Sequence, residues 1–250
     1  LDISTVTDLQ SIRSSLTSRL NDLTRNPEKL TTEFQRFIPA IPNIEKWFPP
    51  TSRGELALIR CRIDELESGK AKNIALLALS KIILRVSFQD SETRYASKPR
   101  DIPAGETIKR YLAALDEIIR NVKLTQPALR YGVCDFITSD IRNLSRETIK
   151  DATVDLIVTS PPYGNAMDYH LYHRFRLMWL GYDPGLLAKV EIGSHLRHQK
   201  EATGFDAYMG EIADSLRTMY RVTKPGRYVV LVIGDSVYKD VLYRSGEAVS

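Results

Sequence analysis

A short apolar run that ends in two prolines constrains this chain more than any other segment. The sequence VDLIVTSPPY covers residues 154–163. Its nearly continuous apolar stretch is typical of a parallel strand that is buried on both faces in an α/β protein. Pro161 and Pro162 lack the N–H that a sheet ladder requires, so the chain must leave the sheet there. Open α/β sheets bind ligands at this carboxyl edge, and the pattern therefore predicts a site loop that begins at Ser160.

The motif at residues 160–163, Ser-Pro-Pro-Tyr, resembles the catalytic motif of the amino-group DNA methyltransferases, which use S-adenosylmethionine to methylate exocyclic nitrogens of bases. In that family, Ser in the first place is associated mainly with N4-cytosine enzymes, whereas Asp or Asn is usual for N6-adenine enzymes. A less specific similarity extends from about Trp47 to Asp240. The resemblance implies a site-specific N4-cytosine DNA methyltransferase of the kind that occurs in restriction-modification systems.

The chemistry of the target explains why these residue types are useful. The exocyclic amine of cytosine is a poor nucleophile because its lone pair is delocalised into the ring. The Ser160 hydroxyl and the Pro161 carbonyl are acceptors to which the amine N–H groups would donate. The rigid backbone at Pro162 would fix the orientation of the carbonyl. Tyr163 would stack on the base after it swings out of the duplex, which recovers roughly 1–3 kcal/mol per base.

Other interpretations of the same motif remain open. Two prolines also end ordinary strands, and Tyr163 would then only complete a core. The motif logic equally serves an N6-adenine DNA methyltransferase or an RNA base methyltransferase. A catalytically inactive relative that binds DNA or a partner subunit is the third alternative.

Two residues are implied in cofactor binding by the resemblance. Asp140 follows a predicted strand, where class I methyltransferases place an acidic residue near the adenine of S-adenosylmethionine, and Thr159 ends the catalytic strand. Asp is also a favoured turn residue, so a capping role for Asp140 is equally open. No Gly-x-Gly occurs in the chain, although the family's cofactor loop is Gly-rich. We therefore expect that the chain is a fragment, or that a second segment or subunit carries this loop.

The apolar patterns divide the chain into a helical first part and a second part that alternates strand and helix. Residues 1–126 are expected to form a helical insertion or cap, and residues 127–250 a partial Rossmann-like catalytic region. Strands ending at about Ile137, Thr159 and Ile233 should lie parallel in one sheet. The predicted fold class is thus α/β, a partial class I methyltransferase sheet with an N-terminal helical region. Helices are predicted at Ile3–Leu23, Gly54–Leu66, Asn73–Val86, Thr107–Asn121 and Phe205–Val222.

Basic residues in two loops are candidate contacts for double-stranded DNA. The loop at residues 87–105 carries Arg94, Lys98 and Arg100, and a later loop carries His195 and Arg197. Cationic side chains of this kind bind phosphate, but a merely solvated loop has the same composition. A net charge of +4 and a pI near 9.0 are compatible with nucleic-acid binding without requiring it.

Composition narrows the remaining classes of function. Two cysteines far apart cannot form a zinc cluster, and the histidines of the second loop lack a completing set of ligands, so we predict no metal site. Apolar stretches stay below the roughly 20 residues of a membrane span. We therefore expect no membrane association and a cytoplasmic protein.

Overall fold

The chain divides into two compact units, which we describe separately. In the computed structural model, the first unit is Leu1–Val133 with Tyr172–Pro184, and the second is Cys134–Leu171 with Gly185–Ser250. The structure describes residues 2–23, 27–67, 69–91, 94–125, 132–164, 167–194, 204–238 and 240–249. The division predicted between residues 126 and 127 differs from this one mainly because Tyr172–Pro184 packs with the first unit.

The secondary structure is mainly helical. The helices are α1 Ile3–Leu23, α2 Pro27–Glu33, α3 Pro50–Asp64, α4 Lys70–Ile82, α5 Glu106–Thr125, α6 Tyr169–Tyr172, α7 Arg174–Leu180, α8 Pro184–Val190, α9 Gly204–Val222 and α10 Ser245–Val249. Short 3-10 turns occupy Gln35–Phe37, Ile44–Lys46, Ile83–Val86 and Ile141–Asn143. The strands are β1 Gln89–Ser91, β2 Arg94–Ser97, β3 Val154–Thr159, β4 Thr223–Leu231, β5 Ser236–Tyr238 and β6 Val241–Tyr243. Among the described helices, none is long and apolar enough to cross a membrane.

The first unit forms around amphipathic helices, as the apolar spacing predicts. On α1, the side chains of Leu9, Ile12 and Leu16 recur at helical spacing and are all buried. The Asp2 carboxylate accepts a hydrogen bond from the Thr5 N–H at 2.9 Å and so caps this helix. The predicted helix is confirmed.

Four aromatic rings fill the middle of the first unit. The Phe175 ring centroid lies 5.1 Å from that of Trp47 and 5.2 Å from that of Phe48, while Trp179 lies 5.7 Å from Phe48. All four side chains are buried. Phe175 and Trp179 belong to α7, and burial of these two large rings explains why this helix packs with the first unit although it is far along the chain.

The second unit is built on one parallel strand pair. Strand β3 pairs with β4 in parallel, with Leu156 opposite Tyr228 and Thr159 opposite Leu231. This pairing confirms the prediction for the last two strands. The strand predicted at Leu129–Ile137 is not found in the described part, residues 132–137, where no neighbouring strand covers the apolar side chains. The described strands therefore form three separate pairs, and a Rossmann-like sheet is not observed among them.

Candidate active site

The loop after β3 is held by hydrogen bonds to the chain that follows β4. The Thr159 carbonyl accepts from the Val232 N–H at 3.0 Å, and the Ser160 hydroxyl donates to the Val232 carbonyl at 3.2 Å. The Ser160 Oγ also lies 3.1 Å from the Tyr163 hydroxyl. Because the single Ser160 proton points to Val232, the Tyr163 hydroxyl is the donor of this second bond. One lone pair of the exposed Ser160 Oγ is then left to accept a hydrogen bond from a ligand.

A buried tyrosine fixes the second half of the loop. The Tyr208 hydroxyl, on α9, donates to the Pro162 carbonyl at 3.1 Å. A Cβ added to Gly164 would lie 2.7 Å from the Tyr208 ring, and one added to Gly193 would lie 3.0 Å from its other edge. Only glycine permits this close approach on both sides. Burial raises the pKa of Tyr208, so its hydroxyl stays protonated and remains a donor.

The loop opens onto a cavity of about 770 Å³ within the second unit. Ser160 and Pro162 line it from the loop after β3, and Asp140 lines it from the segment before the 3-10 turn at Ile141–Asn143. The other polar residues of its lining are Thr138, Ser139, Tyr169 and Glu191. The catalytic and cofactor residues predicted from sequence thus include three that share one cavity.

A second cavity in this unit has a different location. It measures about 820 Å³ and is lined by Asp151, Tyr220 and residues 224–227 at the start of β4. These residues lie at the amino end of the β3–β4 pair, whereas parallel sheets bind ligands at the carboxyl end. None of the residues predicted from sequence lines this cavity, and the smaller one carries the candidate active site.

Asp140 has the capping role that the sequence left open, and it also lines the cavity. Its carboxylate caps the 3-10 turn by accepting from the Arg142 N–H at 3.0 Å, and it forms an ion pair with the Arg142 guanidinium at 2.6 Å. Arg142 also contacts Glu211 at 3.1 Å and the Val190 carbonyl at 2.7 Å. The hydrogen bond from Arg142 lowers the pKa of Asp140. The cavity is therefore lined by a carboxylate that is ionised and rigidly oriented at neutral pH.

Sequence reasoning missed a buried polar network beside the cavity. The Glu191 carboxylate accepts from the backbone N–H of Tyr169 and of His170 at the start of α6, and from the His170 Nδ1 at 2.6 Å. The Asp168 carboxylate accepts from the Ser194 hydroxyl at 2.7 Å. Asp168, His170 and Glu191 place ligand atoms within 4.8 Å of one another, a spacing from which metal sites are built. Because these carboxylates already bond to protein groups, we assign Glu191 to capping α6 and Asp168 to holding Ser194, and we name no metal.

The predicted DNA contacts are only partly described. Lys98 and Arg100 are exposed on the first unit. The Arg100 guanidinium donates to the carbonyls of Leu84 and Ser87, at 2.6 Å from Nη2 and 2.8 Å from Nε respectively. The side chain of Arg94 and the residues His195 and Arg197 lie outside the described part. A role in DNA binding for these five residues stays a prediction.

Comparison with known proteins supports a methyltransferase relationship. The chain is 24% identical over 241 residues to the Type II methyltransferase M.MjaII of Methanocaldococcus jannaschii. The match covers 86% of this chain but only 45% of the relative, so the chain spans about half of that protein's length. No family profile matches the chain, and no solved structure matches it significantly. The similarity thus extends well beyond the four residues of the Ser-Pro-Pro-Tyr motif.

Proposed function

We propose that this chain carries the catalytic loop of an S-adenosylmethionine-dependent DNA methyltransferase that modifies the exocyclic N4 of cytosine. The observation that carries the proposal is the cavity in which Ser160 and Pro162 meet Asp140. It lies at the carboxyl edge of the β3–β4 pair, which is the edge where open α/β sheets bind ligands. The similarity to a Type II methyltransferase over most of the chain supports the same activity.

The cavity is compatible with the cofactor in size and in its polar lining. Its volume of about 770 Å³ falls within the range of roughly 300–1,000 Å³ that is usual for ligand pockets. Arg142 already donates to both carboxylate oxygens of Asp140, so the exocyclic amine of the adenine would share or replace one of these donors. Thr159, at the end of β3, is a second candidate contact. When bound, S-adenosylmethionine supplies an electrophilic methyl group on a sulfonium.

The loop residues would prepare the target amine for attack. The two N–H groups of the amine would donate hydrogen bonds to the open lone pair of the Ser160 Oγ and to the Pro161 carbonyl. These bonds would favour a pyramidal and more nucleophilic nitrogen. The hydrogen bond from Tyr208 to the Pro162 carbonyl limits motion of the loop, so little reorganisation accompanies the reaction. The Tyr163 ring would stack on the flipped base.

Ser160 is the reason to favour cytosine over adenine, and it is the part of the proposal that a product analysis tests. DNA is treated with labelled S-adenosylmethionine and the complete enzyme, including the segment or subunit expected to carry the Gly-rich cofactor loop. The DNA is then hydrolysed, and its nucleosides are separated by mass spectrometry. We expect N4-methylcytosine. N6-methyladenine would overturn the cytosine assignment while keeping the methyltransferase, and transfer to RNA alone would replace the substrate class. The complete absence of transfer, with DNA still bound, would favour the inactive alternative.

The Ser160→Ala variant tests the role of the hydroxyl. It removes one acceptor but leaves the Pro161 carbonyl in place, and we expect a rate lower by about 5–150-fold, equivalent to roughly 1–3 kcal/mol. Ser245→Ala is a matched control, because the Ser245 hydroxyl bonds to the Ser236 hydroxyl at 2.9 Å and does not line the cavity. An unchanged rate in Ser160→Ala would remove this residue from the mechanism.

A further inference from the structure

A third cavity lies in the first unit and is surrounded by arginines. It measures about 570 Å³ and is lined by Arg85 in the 3-10 turn at Ile83–Val86, Arg100 in the segment after β2 and Arg110 on α5. Two carboxylates, Asp101 and Glu106, also line it. Three separate segments of the chain therefore bring guanidinium groups to one place.

The hydrogen bonds leave part of this positive charge available. Glu106 is engaged by Arg110 at 2.7 Å, which is an i,i+4 pair on α5. Arg85 is exposed and forms no hydrogen bond or ion pair with the described residues. Three guanidinium groups and two carboxylates line the cavity, so positive side chains outnumber negative ones in its lining, while Glu117 near Arg85 and Asp90 near Arg100 lie outside it.

Arg100 is oriented for binding before any ligand arrives. Its Nε and Nη2 donate to the carbonyls of Ser87 and Leu84, so the plane of the guanidinium is fixed by backbone. Within the described part of the chain, its Nη1 has no acceptor. Burial and the neighbouring charge of Arg110 lower the pKa of Arg100, yet a guanidinium stays charged at physiological pH. An anion near Arg100 and Arg110 would relieve their mutual repulsion.

We propose that Arg85, Arg100 and Arg110 form a binding site for a phosphodiester of the DNA backbone. Planar guanidinium groups match phosphate oxygens in pairs, which makes arginine well suited to this ligand. Such contacts position a protein on DNA and carry no sequence information directly. The choice of DNA among phosphodiesters rests on the proposed function, whereas the choice of a phosphodiester rests on the cavity.

The test compares charge removal inside and outside the cavity. Binding of a fluorescently labelled 30-base-pair duplex is measured by anisotropy over a range of NaCl concentrations for Arg85→Gln, Arg110→Gln and Arg13→Gln. Arg13 is the matched control, because it is exposed, pairs with Asp116 at 2.9 Å and lies on α1 outside the cavity. Arg100 is left intact since its loss would also release two backbone carbonyls. Thermal unfolding followed by circular dichroism checks that each variant is folded.

We expect Arg85→Gln and Arg110→Gln each to weaken binding roughly tenfold and to reduce the salt slope by about one, with Arg13→Gln close to the unmodified protein. Equal affinity in all folded variants, an equal loss in Arg13→Gln, or the absence of DNA binding would each overturn the site. Methyl transfer is scored separately in the nucleoside assay. DNA binding that depends on these arginines without any methylated product would keep this site and reject the proposed function.

Discussion

The two units of this chain bury their apolar residues to very different extents. The first unit encloses a continuous core that includes Phe48, Leu56 and Trp179, all nearly inaccessible to solvent. In the second unit, the described buried hydrophobic cluster is Tyr208, Ile212 and Tyr238. Its parallel strands instead expose apolar side chains, with Leu156 56% and Val158 66% accessible.

The difference indicates a division between stability and chemistry. Helices that bury one face each give the first unit a closed interior, which dominates folding free energy. The second unit keeps the candidate active site at the end of a strand pair that exposes the apolar side chains of one face to solvent. Apolar strands in this condition form a surface suited to further packing and contribute little to stability as they stand. Substitutions in the first unit should therefore act on stability, and those in the second on activity.

The largest effect is expected from one leucine truncation in the first unit. Leu56→Ala on α3 empties a fully buried position and should cost about 2–5 kcal/mol of unfolding free energy. The same change on β3, Leu156→Ala, should cost less than about 1 kcal/mol because more than half of that side chain is already in solvent. Urea denaturation followed by circular dichroism measures both. Equal costs would mean that the sheet face is covered in solution and that the contrast between the units fails.

The next effect concerns the candidate active site. Tyr163→Ala should lower methyl transfer about 100-fold, because it removes both the stacking ring, worth roughly 1–3 kcal/mol, and the hydrogen bond to Ser160. Tyr163→Phe keeps the ring and should retain most of the rate. Single-turnover assays measure transfer, and calorimetry checks that affinity for S-adenosylmethionine changes little. A rate for Tyr163→Ala that equals that of Tyr163→Phe would exclude stacking.

A smaller effect on the rate is expected at Tyr208, whose hydroxyl donates to the loop after β3. Tyr208→Phe removes the hydrogen bond to the Pro162 carbonyl, a loss of about 1 kcal/mol or roughly fivefold in kcat, with KM for DNA unchanged. Tyr220→Phe is the matched control on the same helix, because Tyr220 is 85% exposed. If Tyr208→Phe lowers the unfolding free energy without changing kcat, Tyr208 supports the fold and not the reaction.

Local patterns in the sequence predicted much of this architecture. Apolar spacing located α1 and α9, and the run before Pro161 located β3, because both signals depend on neighbours along the chain. The strand predicted at Leu129–Ile137 is not observed in its described part. A strand requires a partner strand, and the apolar run alone contains no information about one.

The candidate site was predictable where it follows from strand ends and unpredictable where it depends on distant residues. Ser160 and Asp140 each follow a predicted strand, and they line one cavity. Glu191, directly after α8, and Tyr208, on α9, reach the site from far along the sequence, through hydrogen bonds that no periodic pattern marks. The cavity lined by Arg85, Arg100 and Arg110 has the same origin, since the pattern that predicts the helix at Thr107–Asn121 contains no information about the two other segments.

The smallest expected effect is on the stability of the first unit, and it depends on pH through one buried carboxylate. The buried Glu55 carboxylate accepts from the backbone N–H of Gly105 at 2.6 Å and of Ile108 at 3.0 Å, at the start of α5. Burial outweighs these hydrogen bonds and raises the pKa of Glu55. A carboxyl group whose pKa is higher in the folded state contributes stability that is complete below its unfolded pKa, near 4.3, and is lost as pH rises through the folded pKa.

Glu55→Gln cannot titrate, so the stability of the unmodified protein relative to Glu55→Gln should decrease as pH rises from about 4 to 7. Urea denaturation at several pH values measures this difference, with Glu65→Gln as a control at an exposed position of the same unit. A difference that instead grows toward neutral pH would show that the backbone hydrogen bonds outweigh burial at Glu55.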